Sequence, residues 1–492
     1  MNTIDNTHDL ATSRRQFLKA TAATAAGAFV GGGLSHAALA NPATAVSLRA
    51  APGKVRLVPD PYNETHVWAY NSTVPGPEIR VRQGDRLRIE FENGLEEETT
   101  IHWHGVRVPN AMDGVPDLTQ VPVSPGEKFI YEFDAIDAGT FWYHPHQRGF
   151  EQVGRGLYGP LIIEEREPIQ VDRDITWILD DWRLKKTAEI SDDFGNAHDM
   201  SHNGRVGNTV TINGKIPDSI AVQSGERIRL RLINAANARI FSLDFSDLNP
   251  VVIALDGQPV TPHTPTNARI VLGPAMRIDL VLDMVGAPGS RSVVTDGFYR
   301  NLEYELVELQ YAYVALRDET PDWPMTLAPN PLAEPDLQQL IRHEIQFTGG
   351  MMGNMAMRQM GIDPGDAQGG GMGMGSMMGM MHQNKIWSIN GVAAEGHVMD
   401  PMLILERDRS YVIEMINATA WHHPIHLHGH SFRVLSRNGI ATEHQEWQDT
   451  VLMDPREKVE IALVADNPGD WMFHCHILEH MLGGMMGVLR VT

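Results

Sequence analysis

The sequence predicts an all-β protein made of three consecutive β-sandwich domains. Two observations carry this. From residue 45 onward, short Val/Ile/Leu alternations are broken by Pro, Gly, Asn and Asp, the period-two pattern of half-buried strands. A turn followed by an alternating strand ending in Asn also occurs three times. The copies are residues 68–79 with 81–93, residues 211–217 with 222–234, and residues 388–391 with 405–417. Repeats this far apart are whole domains rather than solenoid units. The expected limits are 41–165, 166–330 and 331–492.

Residues 1–40 read as a processing segment. Arg14 and Arg15, followed by Phe17, Leu18 and Lys19, precede a mild apolar run over 20–34, and Ala38-Leu39-Ala40 offers a small-residue cleavage site. This resembles a twin-arginine export signal. It implies passage through the Tat export machinery and a place in the periplasm or otherwise outside the cytoplasm. No later run is long and apolar enough to span a bilayer, so stable membrane insertion is not expected.

A chain of 492 residues exceeds one ordinary core. Its 42% hydrophobic and 21% charged residues suit a soluble globular protein. The formal charge of −22 argues against nucleic acid as a partner and is compatible with attraction for cations. The single cysteine excludes an intrachain disulfide framework and any cysteine-only iron–sulfur or zinc site. A monomer is the expected state.

Across the boundary between the second and third domains, Pro321, Pro324, Pro329, Pro331 and Pro335 mark an inter-domain linker over 320–345. A Met- and Gly-rich segment over 350–382 follows. It holds Met351, Met352, Met355, Met357, Met360 and, further on, Met372, Met374, Met377, Met378, Met380 and Met381. Its glycines argue against a well-packed core helix, with one short helical turn over 355–360. The segment reads either as a plain loop or as a soft-ligand patch for Cu(I).

The chemistry concentrates near the C-terminus. His474 and His476 flank Cys475; His480 follows five residues after the cysteine, and Met485 ten. A thiolate, an imidazole and a weak thioether belong to a blue-copper ligand set, which needs a second imidazole from elsewhere. On a strand His474 and His476 point away from Cys475, onto one common face. Three His-x-His pairs accompany them: His102/His104, His144/His146 and His426/His428. Positions i and i+2 share a face, so four such pairs from domains one and three suit a cluster of metals. Domain two repeats the scaffold without such pairs, which leaves it spacing and packing.

The whole chain after the signal resembles a three-domain bacterial multicopper oxidase, of the laccase-like and periplasmic cuprous-oxidase kind. The motifs are His102-Trp-His-Gly, His144-Pro-His, His423-Pro-Ile-His-Leu-His, and Cys475 with His480 and Met485. The resemblance implies cupredoxin-like Greek-key domains and four copper ions. A type 1 copper is held by His423, Cys475 and His480 with Met485 axial. A type 2 copper is held by His102 and His426. A type 3 pair is held by His104, His144, His146, His428, His474 and His476. It implies one-electron oxidation of a substrate at the type 1 site, with electrons passing from Cys475 through His474 and His476 to reduce O2 to water. Asp113 matches the family's proton-handling acid. Met481 stands where bacterial relatives often carry a second acid, and Glu479 is expected to point elsewhere on a strand.

Cu(I) is the first expected reductant, with phenols or aromatic amines also taken. The alternatives are a laccase acting mainly on organic substrates, and a non-catalytic copper-binding or scaffold protein. The family's substrate-copper site carries Asp and Met four and two residues before the first type 1 histidine. Here Thr419 and Trp421 occupy those places, and Asp363, Asp366, Met355 and Met360 are the possible replacements.

Overall fold

The computed structural model describes residues 43–363, 385–397 and 400–492. The export-signal reading, Asp366 and the methionines from Met372 to Met381 lie outside the described residues. The described sheets fall into three sequential pairs. A four-stranded sheet (Thr65–Tyr70, Thr44–Val55, Arg86–Asn93, Lys128–Asp134) faces a second of Ile79–Arg82, Gly159–Glu164, Gly139–His144 and His102–His104. Six- and five-stranded sheets follow between Arg173 and Tyr311, and seven- and five-stranded sheets between Ile341 and Val491.

The repeated pattern has a visible physical cause. Arg86–Asn93 alternates between buried Leu87, Ile89, Phe91 and Asn93 and its more exposed positions. Each copy ends in a fully buried asparagine: Asn93, Asn234 and Asn417. The Asn93 amide donates to Glu97 O and Val123 O, while its Oδ1 accepts from Leu95 N. Asn234 and Asn417 repeat this arrangement, holding Arg239 O and Leu272 O, and Trp421 O and Asp454 O. Each asparagine satisfies backbone groups that the chain leaves unpaired on quitting its strand. The turns have a cause too. Asn213-Gly214 and Asn390-Gly391 take φ of 52° and 71°, and 49° and 78°, as a two-residue I′ hairpin requires.

Register positions the site. In the first pair of sheets His102 stands opposite His144. In the third, His426 stands opposite His474 and Ile425 opposite Cys475. The two outer domains thus present their histidines on equivalent strand pairs. The stretch after Cys475 turns into the short helix Leu478–Leu482. This corrects the strand expected through Glu479. A continuing strand would carry His480 well over 10 Å from Cys475, whereas a helical turn brings it back. The methionine segment also forms a helix, Gly353–Gln359, whose Ala356 and Met357 are buried, with Met357 packed against Ile416 and Ala418.

Candidate metal centres

Among the described residues two buried clusters are present. In the first, Cys475 Sγ lies 3.4 Å from His423 Nδ1 and 3.6 Å from His480 Nδ1, and the two Nδ1 atoms are 3.1 Å apart. The far nitrogen of each ring is already held. His423 Nε2 meets the Thr419 hydroxyl at 2.9 Å, and His480 Nε2 donates to the His202 carbonyl at 2.7 Å. Those bonds fix the tautomers and aim both Nδ1 lone pairs at the sulfur. Burial keeps His480 neutral, with its pKa lowered to about 3, and pushes the Cys475 thiol up. Met485 is buried in the same core, its carbonyl accepting from Cys475 N and its N–H donating to His480 O. Trp387 covers both histidines, 4.3 Å from the His480 ring and 5.0 Å from the His423 ring. Its Nε1 donates to Met200 O of domain two at 2.6 Å.

The second cluster gathers His102, His104, His144, His146, His426, His428, His474 and His476, each at most 1% exposed. His102 stacks on His428 at 3.9 Å and His104 on His426 at 3.8 Å. His428 Nε2 faces His474 Nε2 at 3.1 Å, and His476 Nε2 faces His144 Nε2 at 3.4 Å. Outer nitrogens are tied down. His144 meets Pro145 O, His474 meets Cys475 O, and His426 meets Asp449 O. Burial, reinforced by neighbouring rings, lowers the pKa of His104, His144, His146, His428, His474 and His476 well below the usual value. Neutral imidazoles are the form that binds metal.

Asp113, beyond the turn Asn110–Met112, is fully buried. Its Oδ2 lies 2.9 Å from His428 Nδ1 and its carbonyl 2.8 Å from His102 Nδ1. Two further groups were not legible in the sequence. Asp449 Oδ1 stands 3.3 Å from His104 Nε2 and 3.4 Å from His426 Nδ1. The Arg277 guanidinium of domain two holds that carboxylate at 2.8 and 2.5 Å. Burial opposes ionisation of Asp449, but Arg277 prevails and keeps its pKa low. A Cβ on Gly105 would collide with this pair, which accounts for the glycine after His104. Domain two therefore does more than space its neighbours.

The donor set fits a metal. His102 Nε2, His104 Nδ1, His146 Nδ1, His426 Nε2 and His476 Nδ1 are buried with no hydrogen-bond partner. Such groups are costly unless something binds them. Within the described residues, ligand atoms of His102/His426/His428, His102/His104/His144, His146/His428/His474 and His423/Cys475/His480 come within 4.8 Å of one another. Imidazole with one thiolate suits copper. Fold and site thus define a β-sandwich protein with several buried copper-type metal centres.

Comparison with known proteins agrees. Multicopper oxidase family models match residues 53–168, 173–319 and 374–492. The multicopper oxidase MmcO of Mycobacterium tuberculosis is 30% identical, over 85% of this chain and 81% of its own. Copper resistance protein A of Escherichia coli is 26% identical, over 87% and 90%. A multi-copper oxidase structure from Pseudomonas thermotolerans is 34% identical, with a TM-score of 0.79 over 92% of this chain and all of that one. The chain belongs to the multicopper oxidase family, and its domains are cupredoxin-like sandwiches. It is a copper-dependent oxidase that reduces O2. Among the described residues no helix is long and apolar enough to cross a membrane.

Proposed function

We propose that the protein is an exported oxidase that takes single electrons from Cu(I), and also from phenols or aromatic amines, and passes them to O2. The observation that carries this is the position of Cys475. Its sulfur belongs to the His423–Cys475–His480 triangle, while its neighbours His474 and His476 belong to the eight-histidine cluster. One residue on either side of a thiolate therefore joins the two centres through covalent bonds.

In this reading His423, Cys475, His480 and Met485 hold a type 1 copper. His102 and His426 hold a type 2 copper, and His104, His144, His146, His428, His474 and His476 hold a type 3 pair. Bound copper supplies the one-electron steps and the place where O2 is reduced with four electrons and four protons to two waters. The chain supplies the rest. Thr419 and the His202 carbonyl orient the first pair of imidazoles, and Trp387 excludes water from them. Asp113 orients His102 and His428 and, as a buried acid beside the cluster, handles protons there. Domain limits of 41–165, 166–330 and 331–492, Tat-dependent export to the periplasm and a monomeric state complete the reading. The name of the E. coli relative supports copper as the physiological reductant. The spacing of Arg14 and Arg15 supports the export route.

The test is O2 uptake by the copper-loaded enzyme with Cu(I) and, separately, with a bulky phenol. Uptake driven by Cu(I) is expected. An enzyme that consumes phenol but leaves Cu(I) untouched is a laccase for organic substrates. One that consumes no O2 with either reductant is not an oxidase.

A further inference from the structure

The His480 imidazole, a ligand of the first centre in the reading above, where substrate electrons enter, is fully buried. Its outer nitrogen is sealed by the His202 main-chain carbonyl of domain two. The His202 side chain, by contrast, is partly exposed. It stacks on His198 at 4.2 Å with only 8° between the rings, and the His198 side chain is 75% exposed. The two belong to the helix Ala197–Ser201 and the residue just after it, at an i, i+4 spacing that puts them on one side.

His202 is also prepared as a ligand. Its Nδ1 lies 2.9 Å from both the His198 carbonyl and the Ser201 hydroxyl; that hydroxyl gives its proton to Ala197 O at 2.7 Å, so both neighbours accept and Nδ1 donates. In the neutral ring this leaves the Nε2 lone pair unused. The Met-rich segment is moored beside it. Met351 N donates to Ser201 O at 2.8 Å, and the Met351 carbonyl accepts from Trp421 Nε1 at 2.9 Å. Trp421 lies edge-on to the His202 ring at 5.3 Å. Met352 and Met355, next along, are exposed.

We propose that His198 and His202 bind the cuprous substrate at the surface and that the electron enters through His202. This rests on the reading of Cu(I) as reductant. His202 Nε2 is the fixed ligand, the exposed His198 ring swings to supply the second, and the thioethers of Met352 and Met355 suit capture of the soft ion. Each Cu(I) gives up one electron and leaves as Cu(II). That electron crosses the His202 residue and the carbonyl-to-Nε2 hydrogen bond to His480. Four Cu(I), one O2 and four protons yield four Cu(II) and two waters. The site replaces the carboxylate-and-thioether pair for which Thr419 and Trp421 stand.

The test uses the full copper-loaded enzyme and Ag(I), a redox-inert stand-in for Cu(I). Carbethoxylation of individual histidines is mapped by mass spectrometry with and without Ag(I). Protection of His198 and His202 is expected, lost in His198→Ala and regained at His202 in His198→Met. In parallel, the ratio of kcat/KM for Cu(I) to that for a phenol is expected to fall about tenfold or more in the His198→Ala/His202→Ala double variant, through KM. That variant keeps the His202 carbonyl, and an unchanged blue absorption band checks that the first centre is intact. Absence of Ag(I) protection together with an unchanged ratio overturns the site. A wild-type enzyme that never oxidises Cu(I) overturns the underlying reading instead.

Discussion

Thr419 Oγ1 stands 2.9 Å from His423 Nε2, at a position where the family resemblance puts a substrate-binding carboxylate. The hydroxyl donates onward to Asn417 Oδ1 at 2.7 Å, so it accepts from the Nε2–H of the imidazole. The threonine therefore acts inward on a metal ligand, and the asparagine that closes the third repeat anchors it. Thr419→Val keeps the shape and removes the hydroxyl. Copper affinity at the His423–Cys475–His480 centre is expected to fall about 10- to 100-fold. Titration of the blue absorption against a competing chelator reads this.

Asp113 grips two cluster histidines at once, through its carbonyl and its carboxylate. Asp113→Asn retains an oxygen acceptor for His428 but no acid. Copper content should hold, while kcat for O2 reduction should fall by about 100-fold or more. Asp113→Ala removes the acceptor as well and should also release copper. Oxygen uptake and metal analysis on the same samples separate the two effects.

The His-x-His pairs were legible because side-chain alternation is local: positions i and i+2 share a face, while the register that sets His102 opposite His144 and His426 opposite His474 emerges only in the structure. Asp449, Trp387 and His202 were not legible. Each owes its place to contact between domains, through Arg277, Met200 O and His480, and no spacing rule reports such contacts. At Glu479 the expected strand gives way to a helix for a different reason. The alternating His-Cys-His pattern reads as a strand that continues, and only the closeness of His480 Nδ1 to Cys475 Sγ reveals the helical turn.

That turn buries Glu479 completely, against domain two. Its carboxylate accepts from Arg205 N at 3.1 Å and Asn237 Nδ2 at 3.2 Å. Burial raises its pKa to about 7. The folded state thus holds a proton that the unfolded chain releases near the ordinary glutamate value. The stability contributed is fully present below that value and is lost as pH rises to about 7, a change of about 3 kcal/mol. Glu479→Gln resembles the protonated acid, so its stability should fall less than that of wild type across this window. Chemical denaturation at several pH values measures the difference, and parallel curves would contradict it.

Arg277 is fully buried between Asp256 and Asp449. Burial and the Asp449 charge push Asp256 up to about 7, so the one cation neutralises Asp449 first. Asp256 Oδ2 accepts from Asp449 N and Thr450 N, which ties domain two to the backbone behind His426. Arg277→Met leaves a buried carboxylate unpaired beside His104 and His426. The cost should be about 3 to 5 kcal/mol, seen as a lower unfolding midpoint in the metal-free protein. Asp449 would then take up a proton or shift, and the two histidines it faces would lose their orientation. Arg277→Met/Asp449→Asn removes the unpaired charge and should recover part of that stability. Copper occupancy of the eight-histidine cluster should stay low in the double variant, because the group that orients His104 and His426 is still changed. Full recovery of both stability and copper in the double variant would show that the pair serves charge balance alone.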